Sequence, residues 1–486
     1  MSINMSKGKY YITTPIYYVN DVPHIGHSYT TIVADVLARY FRIKLGNDSV
    51  FFLTGTDEHG DKVACSAESK GLSLQEFCDQ VSDQFKEAWK LLNISHDYFI
   101  RTTDPDHEKR VKEIFNRLKE IKTPKGNEAI YQAEYEGLYC IGCEKFLTAK
   151  ELVDNMCPDH QKEPVLIKEK NWFFKLTDYI PDLEAKIKSG EFQILPESRR
   201  NETLGLIKQG IGDFSISRGS VKWGITLPFD ETQKSYVWVD ALSNYITAIG
   251  YPDDLDTFKK WWPVDLHLMA QDILKFHAFY WPAILMALGL ELPKREFIHG
   301  FFTLDGHKMS KSVGNVISPL ELVTKYGSDA TRYLLLSQFS FGSETDIKVE
   351  LFDEKYNADL ANGLGNLVNR VSNLIEKNFS GRTEIKKVNI ENNISKNIEE
   401  YKFNESLKEI NRLVAESNQL IDREKVWELV KNEEKKAFDI LSELVSNLLF
   451  IAQHLKPFMP ETSGKIEKIF NNNKIEKPKE PLFLRI

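Results

Sequence analysis

The apolar positions of this chain change period several times, and each change marks an element. The opening run "KYYITTPIYYV" is apolar and β-rich without alternation, which predicts a strand covered on both faces. After the turn "NDVP" the apolar residues take helical spacing, at Ile25, Tyr29, Ile32, Val33, Val36, Leu37, Tyr40 and Phe41. "SVFFLTG" predicts a second strand. Ser73 and Glu76 then form a capping box ahead of Leu74, Phe77, Cys78, Val81, Phe85, Ala88, Trp89 and Leu92, a long amphipathic helix. Strand, helix, strand, helix in this order predicts a parallel, doubly wound sheet.

That rhythm stops near residue 125. Residues 129–235 hold a cysteine cluster, frequent glycines and short β-like pieces such as "KNWFFKL", and read as an inserted module. The α/β pattern resumes at "SYVWVDALSNYITAIG" and "VDLHLMAQDILKFHAFYWPAILMALGL". A Gly-rich stretch, "HGFFTLDGHKMSKSVGN", leads to a capped start, Ser318-Pro319-x-Glu321, with proline at the first helical position. Beyond about residue 345 strand signals thin out. "NADLANGLGNLVNRVSNLIEKN" and "KKAFDILSELVSNLLFIAQHLKP" predict an α-helical bundle. "KVNIENNISKN" and "NNNKIEKPKE" read as loop and tail. The expected organisation is a Rossmann-type α/β domain in two halves, 1–128 and 236–300, split by the insert 129–235. A linking region, 301–350, and a helical domain, 351–486, follow.

Composition adjusts this picture in three ways. A hydrophobic content of 42% and an aromatic content of 12% suffice for several cores in 486 residues. No apolar stretch behind the first lysines reads as a signal peptide. The longest apolar run, "FHAFYWPAILMALGL", is broken by His277 and Pro282 and is too short for a bilayer, so it predicts a buried helix and no membrane role. Five cysteines exclude a disulfide scaffold and point to a reducing cytosol. Cys65 and Cys78 read as ordinary buried thiols, and the other three lie close enough to suggest a metal. A net charge of −8 argues against a basic coat for unspecific nucleic-acid binding, but leaves room for a local basic face that binds RNA.

Four groups of residues could carry chemistry. His24 and His27 fall in the first turn of the helix after strand one, on the ligand edge of the expected sheet and at a helix N-terminus rich in free N–H groups. Gly26 between them lets a flat ligand approach the backbone. An anion such as a triphosphate suits this place; local capping and packing is the plainer alternative. A metal fits less well, because no acidic or cysteine partner stands at helical spacing. Lys308 and Lys311 lie in the Gly- and Ser-rich loop "HKMSKSVGN", which could close over a polyphosphate or simply be solvated. Cys140-x-x-Cys143 and Cys157-x-x-His160 form two knuckles separated by 13 residues. Four such ligands make a tetrahedral, closed site, hence one structural zinc. Asn366 and Arg370 share a helical face, and Trp427 lies on another helix; salt bridging and core packing would also account for them.

His24-Ile25-Gly26-His27 together with Lys308-Met309-Ser310-Lys311-Ser312 resemble the two signature motifs of the class I aminoacyl-tRNA synthetases. "TTPIYYVNDVPHIGH", "GTDEHG", "YVWVDALSNYITA" and "LANGLGNLVNR" look like methionyl-tRNA synthetases, over nearly the whole chain. The resemblance implies a catalytic Rossmann domain and activation of L-methionine by ATP, with Mg²⁺ on the phosphates. Transfer to the 3′ adenosine of tRNA(Met), at the 2′-hydroxyl if the class rule holds, would follow. It implies a methionine pocket at Ile16, Tyr18, Trp238, Ala241, Leu242, Tyr245 and His277, with Asp57 on the α-ammonium group. Asp272 joins His24, Gly26, His27, Lys308 and Lys311 at ATP, and Asn366, Arg370 and Trp427 read the anticodon. Ala270-Gln271 stand before Asp272 where the family usually has Gly-Lys, which puts a charge contact there in doubt. The family's appended C-terminal dimerisation domain is not expected, so a monomer is. A synthetase for another small amino acid, a nucleotidyltransferase and a zinc-dependent RNA-binding protein are the rival readings.

Overall fold

The computed structural model describes residues 8–20, 22–141, 145–147, 151–158, 161–304, 307–308, 316–386 and 390–486. Six strands form the central sheet: β1 (Tyr10–Tyr18), β2 (Val50–Asp57), β3 (Tyr98–Arg101), β4 (Gln193–Leu195), β5 (Leu266–Ala270) and β6 (Arg295–His299). Their order is β3-β2-β1-β5-β6-β4, and every neighbouring pair is parallel. The winding direction reverses between β1 and β5, and such a reversal opens a crevice at the carboxyl ends of the strands. β4 lies inside the range 129–235, so the chain returns from its excursion to add an edge strand. "QIL" is too short for its periodicity to announce it.

The sheet is buried on both faces, as its unbroken apolar strands require. On one face α1 (Ile25–Leu45) and α2 (Leu74–Leu91) cover Tyr10, Ile12 and Phe52 with Ile32, Val36, Phe41, Phe77 and Trp89. The capping box of Ser73 and Glu76 starts α2 as expected. On the other face, α3 (Pro105–Glu120) and α4 (Val237–Thr247) cover Tyr11, Leu53 and Ile100. The apolar run near residue 280 is a buried helix whose first turn, Phe276–Tyr280, is a π-turn. Its wider spacing is of the kind that often marks a functional site.

Much of the insert is an antiparallel arm. Ile130–Cys140 pairs with Val165–Phe174 along nearly its whole length, flanked by Lys145–Leu147 and Phe214–Ser215. Cys78 is buried, as expected. Cys65 is not; it sits exposed on the short helix Asp61–Ser69, whose buried side chains are Val63 and Ala67.

Beyond residue 327 the chain is mainly helical, apart from the short strand Thr345–Ile347 that pairs in parallel with Phe302–Leu304; its main helices are α5 (Ser328–Ser337), α6 (Asn366–Phe379), α7 (Phe403–Arg423), α8 (Val426–Asn432), α9 (Glu434–Leu455) and α10 (Pro460–Phe470). The apolar cluster under α1 continues without a break into these helices. At the junction Arg332 of α5 is fully buried. Its guanidinium donates to the carbonyls of Phe458 (2.7 Å), Pro457 (3.0 Å) and Leu92 (3.1 Å) and pairs with the buried Asp35 of α1 at 2.7 Å. Asp35 also accepts from Arg39 and from the backbone N–H of Ser95, each at 2.7 Å. The two guanidinium groups hold its carboxyl below the usual carboxylate range, against the upward pull of burial. Removing one partner of such a pair costs about 3–5 kcal/mol, because the other charge is left buried. Among the described residues, no helix is long and apolar enough to cross a membrane.

Candidate active site

β1 does not run straight to its end. Its pairing with β2 slips between Thr13 and Ile16, at Pro15, which has no N–H to donate. Slips of this kind turn the following side chains, and here Ile16 and Tyr18 line a cavity of about 370 Å³ at the switch point of the sheet. Asp57, the last residue of β2, lines it from one side. Trp238, Ala241, Leu242 and Tyr245 of α4 and His277 of the π-turn line it from another. His24, Gly26, His27 and Asp272 complete the wall. Residues about 250 positions apart in the chain thus line one cavity.

The apolar end of the cavity is rigid. Trp238 stacks on Phe276 with ring centroids 3.7 Å apart and planes 7° from parallel. His277 donates from Nδ1 to the carbonyl of Ile273 at 3.0 Å, which leaves Nε2 to accept from the hydroxyl of Tyr245 at 2.8 Å. Burial pushes the His277 imidazole down to about 4, so the ring is neutral at pH 7. An uncharged ring is what an apolar side chain needs beside it.

At the other end, the histidine pair does two jobs with its two nitrogens. His24 is the N-cap residue of α1 rather than part of its first turn, and His27 is the third helical residue. The Nδ1 atom of His24 accepts from the Gly26 N–H at 3.1 Å, and Nδ1 of His27 accepts from the His24 N–H at 3.3 Å. The rings stack with centroids 3.7 Å apart. Because both Nδ1 atoms accept, each neutral ring carries its proton on Nε2. The capping alternative and the anion-binding alternative are therefore compatible: the cap itself fixes the tautomer that can donate. Burial and the neighbouring His24 push the His27 imidazole well below its ordinary value.

Several cavity residues were not legible beforehand. Tyr17, Asn20, Thr30, Lys62, Phe276 and His299 also line it. His299, at the end of β6, contacts Thr30 of α1 at 2.7 Å and donates to the Gly300 carbonyl at 2.8 Å; burial pushes it down to about 4. No motif singles these out, because their spacing reflects tertiary packing. Gln271, the departure before Asp272, is held by Arg199 and donates to Glu344 at 2.8 Å. A neutral side chain thus bridges Arg199 and Glu344 at this position.

The remaining candidates lie elsewhere. Lys308 belongs to the two-residue strand His307–Lys308, paired with Phe302–Leu304; its side chain and Lys311 lie outside the described residues. Cys140, at the end of the Ile130–Cys140 strand, and Cys157 are both buried in one small cluster with Leu147. Cys143 and His160 lie outside the described residues, and among those described no group of three or more potential ligands assembles. In the bundle, Arg370 of α6 pairs with Asp422 of α7 and with Asn418 (3.4 Å), and Asn366 donates to Asn418 at 3.5 Å. Trp427 of α8 is 42% exposed.

A doubly wound parallel sheet, a crevice at its switch point and a histidine-capped helix beside it match what the resemblance to the class I aminoacyl-tRNA synthetases implies for a catalytic core. The profile of the family described as "tRNA synthetases class I (M)" matches residues 10–164 and 149–372. The methionine–tRNA ligase of Caldanaerobacter subterraneus subsp. tengcongensis is 46% identical over 476 residues, covering 95% of this chain and 73% of that one. That of Clostridium acetobutylicum is 45% identical over 482 residues, 96% and 74% of the two chains. Mycobacterium tuberculosis methionyl-tRNA synthetase, solved in complex with methionyl-adenylate, superposes with a TM-score of 0.89 at 35% identity, over 98% of this chain and all of the other. The chain belongs to the methionyl-tRNA synthetase family.

Proposed function

We propose that this chain is a methionine–tRNA ligase. It activates L-methionine with ATP to methionyl-adenylate, releases pyrophosphate and transfers methionine to the 3′ adenosine of tRNA(Met). The observation that carries the reading is the cavity at the switch point of the sheet. It is lined by every described side chain expected to touch methionine or ATP, with an apolar aromatic end, a carboxylate at one side and a capped helix N-terminus at the other.

The thioether fits between the Trp238–Phe276 stack, Leu242, Ala241 and Tyr245; sulfur–aromatic contacts contribute about 0.3–1.5 kcal/mol each. Asp57 holds the α-ammonium group, so the methionine carboxylate faces the α-phosphorus for in-line attack. Positioning and charge stabilisation carry such a step. The Nε2–H groups of His24 and His27 donate to phosphate oxygens as their charge develops, and Gly26 lets the nucleotide approach the backbone. Asp272 serves the ATP site, and Lys308 and Lys311 stabilise the departing pyrophosphate. Mg²⁺ bound to ATP supplies further neutralisation of the phosphates. One structural zinc on Cys140, Cys143, Cys157 and His160 would brace the arm; the joint burial of Cys140 and Cys157 supports it. Asn366 and Arg370 offer amide and guanidinium donors to unstacked bases, and the exposed indole of Trp427 offers a stacking face.

The test is amino-acid-dependent ATP–pyrophosphate exchange, run with and without a zinc chelator. Methionine alone should support exchange. Exchange driven by cysteine or another small amino acid, or none at all, overturns the reading. Retained fold and exchange after complete metal removal would overturn the bracing role of zinc.

A further inference from the structure

Glu58 and His59, directly after Asp57, do not line the cavity; they are tied into the protein behind it. Glu58 is fully buried, and its carboxylate accepts from Arg101 at 2.7 and 2.9 Å and from Thr56 at 2.7 Å. His59, 2% exposed, makes a 2.6 Å contact through Nδ1 with Oδ2 of Asp240. The other oxygen of Asp240 contacts Nε2 of His107 at 2.7 Å, and Nδ1 of His107 contacts the Thr247 hydroxyl at 2.7 Å. Trp223 closes the group from above. Its ring stands edge-on to His59 at 5.2 Å, its indole N–H donates to the Glu58 carbonyl at 2.6 Å, and its carbonyl accepts from Gly60 at 3.0 Å.

Asp240 is 1% exposed and lies on α4, directly before Ala241 and two residues after Trp238. One buried carboxylate therefore joins the loop that follows Asp57 to the helix that carries the apolar wall, and fastens both to α3 through His107. A methionine bound as proposed above must satisfy both sides at once, its ammonium at Asp57 and its side chain at α4. The His59–Asp240 contact links the two sides directly.

We infer that Asp240, with His59 and His107, is a positioning group for the amino-acid subsite, which holds Asp57 and α4 at the spacing that methionine requires. This inference rests on the proposed function. No group in the triad touches the cavity, so it acts through Asp57 and the wall of α4. Charge-assisted contacts in a dry interior are strong and directional, and a carboxylate with two imidazole partners cannot drift without leaving a charge buried.

The groups that face His59 are Asp240 from α4, Glu108 from α3 at 3.7 Å, and its own neighbour Glu58. Burial pulls its imidazole down, and these three carboxylates more than reverse that and raise it. The folded value lies above the unfolded one, so the clamp is complete below the unfolded value and weakens as pH rises through the folded value. The KM for methionine should rise with it.

The experiment is Asp240→Asn in the full chain, with KM for methionine and for ATP measured separately by pyrophosphate exchange between about pH 6 and 9. The KM for methionine should rise at least about tenfold at neutral pH, the loss of one charge-assisted bond, with the KM for ATP within about twofold. The alkaline rise expected of the wild type should disappear. An unchanged methionine KM, a parallel loss for both substrates, or a pH profile that superposes on the wild type overturns the inference. If Asp240→Asn does not fold, His59→Gln decides. It keeps an N–H for Asp240 but cannot titrate, so a pH-dependent methionine KM in that variant is equally fatal. A wild-type chain without methionine-dependent exchange would overturn the function reading beneath it.

Discussion

The two tasks assigned to His24 can be separated by one pair of substitutions. Asparagine is among the best N-cap residues, so His24→Asn keeps an acceptor for the Gly26 N–H, now received at 3.1 Å, but removes the Nε2 donor. His24→Ala removes both. Loss of the cap costs about 0.5–2 kcal/mol of helix stability, which only the alanine variant should suffer. Loss of a hydrogen bond to a charged phosphate oxygen costs about 1.5–3 kcal/mol, or roughly 10- to 100-fold in rate, which both should suffer. The stacking on His27, with centroids 3.7 Å apart, is lost in both and cancels in the comparison. The assay is the turnover of ATP–pyrophosphate exchange at saturating methionine, beside thermal unfolding of each variant. An asparagine variant with wild-type melting and exchange reduced 10- to 100-fold is the expected result. Near wild-type exchange in His24→Asn would mean that His24 is a cap and nothing more, and the proposed phosphate contact would fall.

Three further outcomes are expected. Tyr245→Phe removes the hydroxyl at 2.8 Å from His277 and leaves a buried nitrogen unsatisfied, a loss of about 1–3 kcal/mol; the methionine KM should rise while exchange at saturation changes little, and an unaltered KM would count against the pocket assignment. Trp427→Ala should weaken tRNA charging with methionine-dependent exchange intact, and loss of exchange would assign the indole a folding role. For pH, His299 has an ordinary value of 6.5 and a folded value of about 4, so the unfolded chain takes up this proton first as pH falls. The stability advantage of wild type over His299→Gln should therefore shrink by about 1.4 kcal/mol per pH unit between those limits; denaturant melts at pH 7 and pH 5 check this, and a constant difference would refute it.

The parallel sheet was readable because both its strands and its helices repeat at unambiguous periods over many residues, "KYYITTPIYYV" and the α1 stripe above all. The cavity was readable for a different reason: its residues sit in short stretches whose likeness to a known family carries them together. What escaped notice depends on contacts between distant segments. Nothing local says that "QIL" will pair with β6, that Cys65 faces solvent, or that Trp238 stacks on Phe276. Asp240 is one more polar position within a largely buried helix until His59 and His107 are brought beside it. The Arg332–Asp35 pair is equally silent, since each residue alone reads as a surface charge.

That last pair has a consequence for how the molecule could measure its RNA. The Arg332 guanidinium is bonded to α1, to the turn after α2 and to the chain ahead of α10, and a single apolar cluster surrounds it. The crevice and Trp427 are thus carried by one continuously packed body, like the two jaws of a caliper. If Trp427 meets the anticodon as proposed, the packing between the two sites sets the distance a bound tRNA has to bridge. On that proposal, a tRNA that fits must match the span between the two sites.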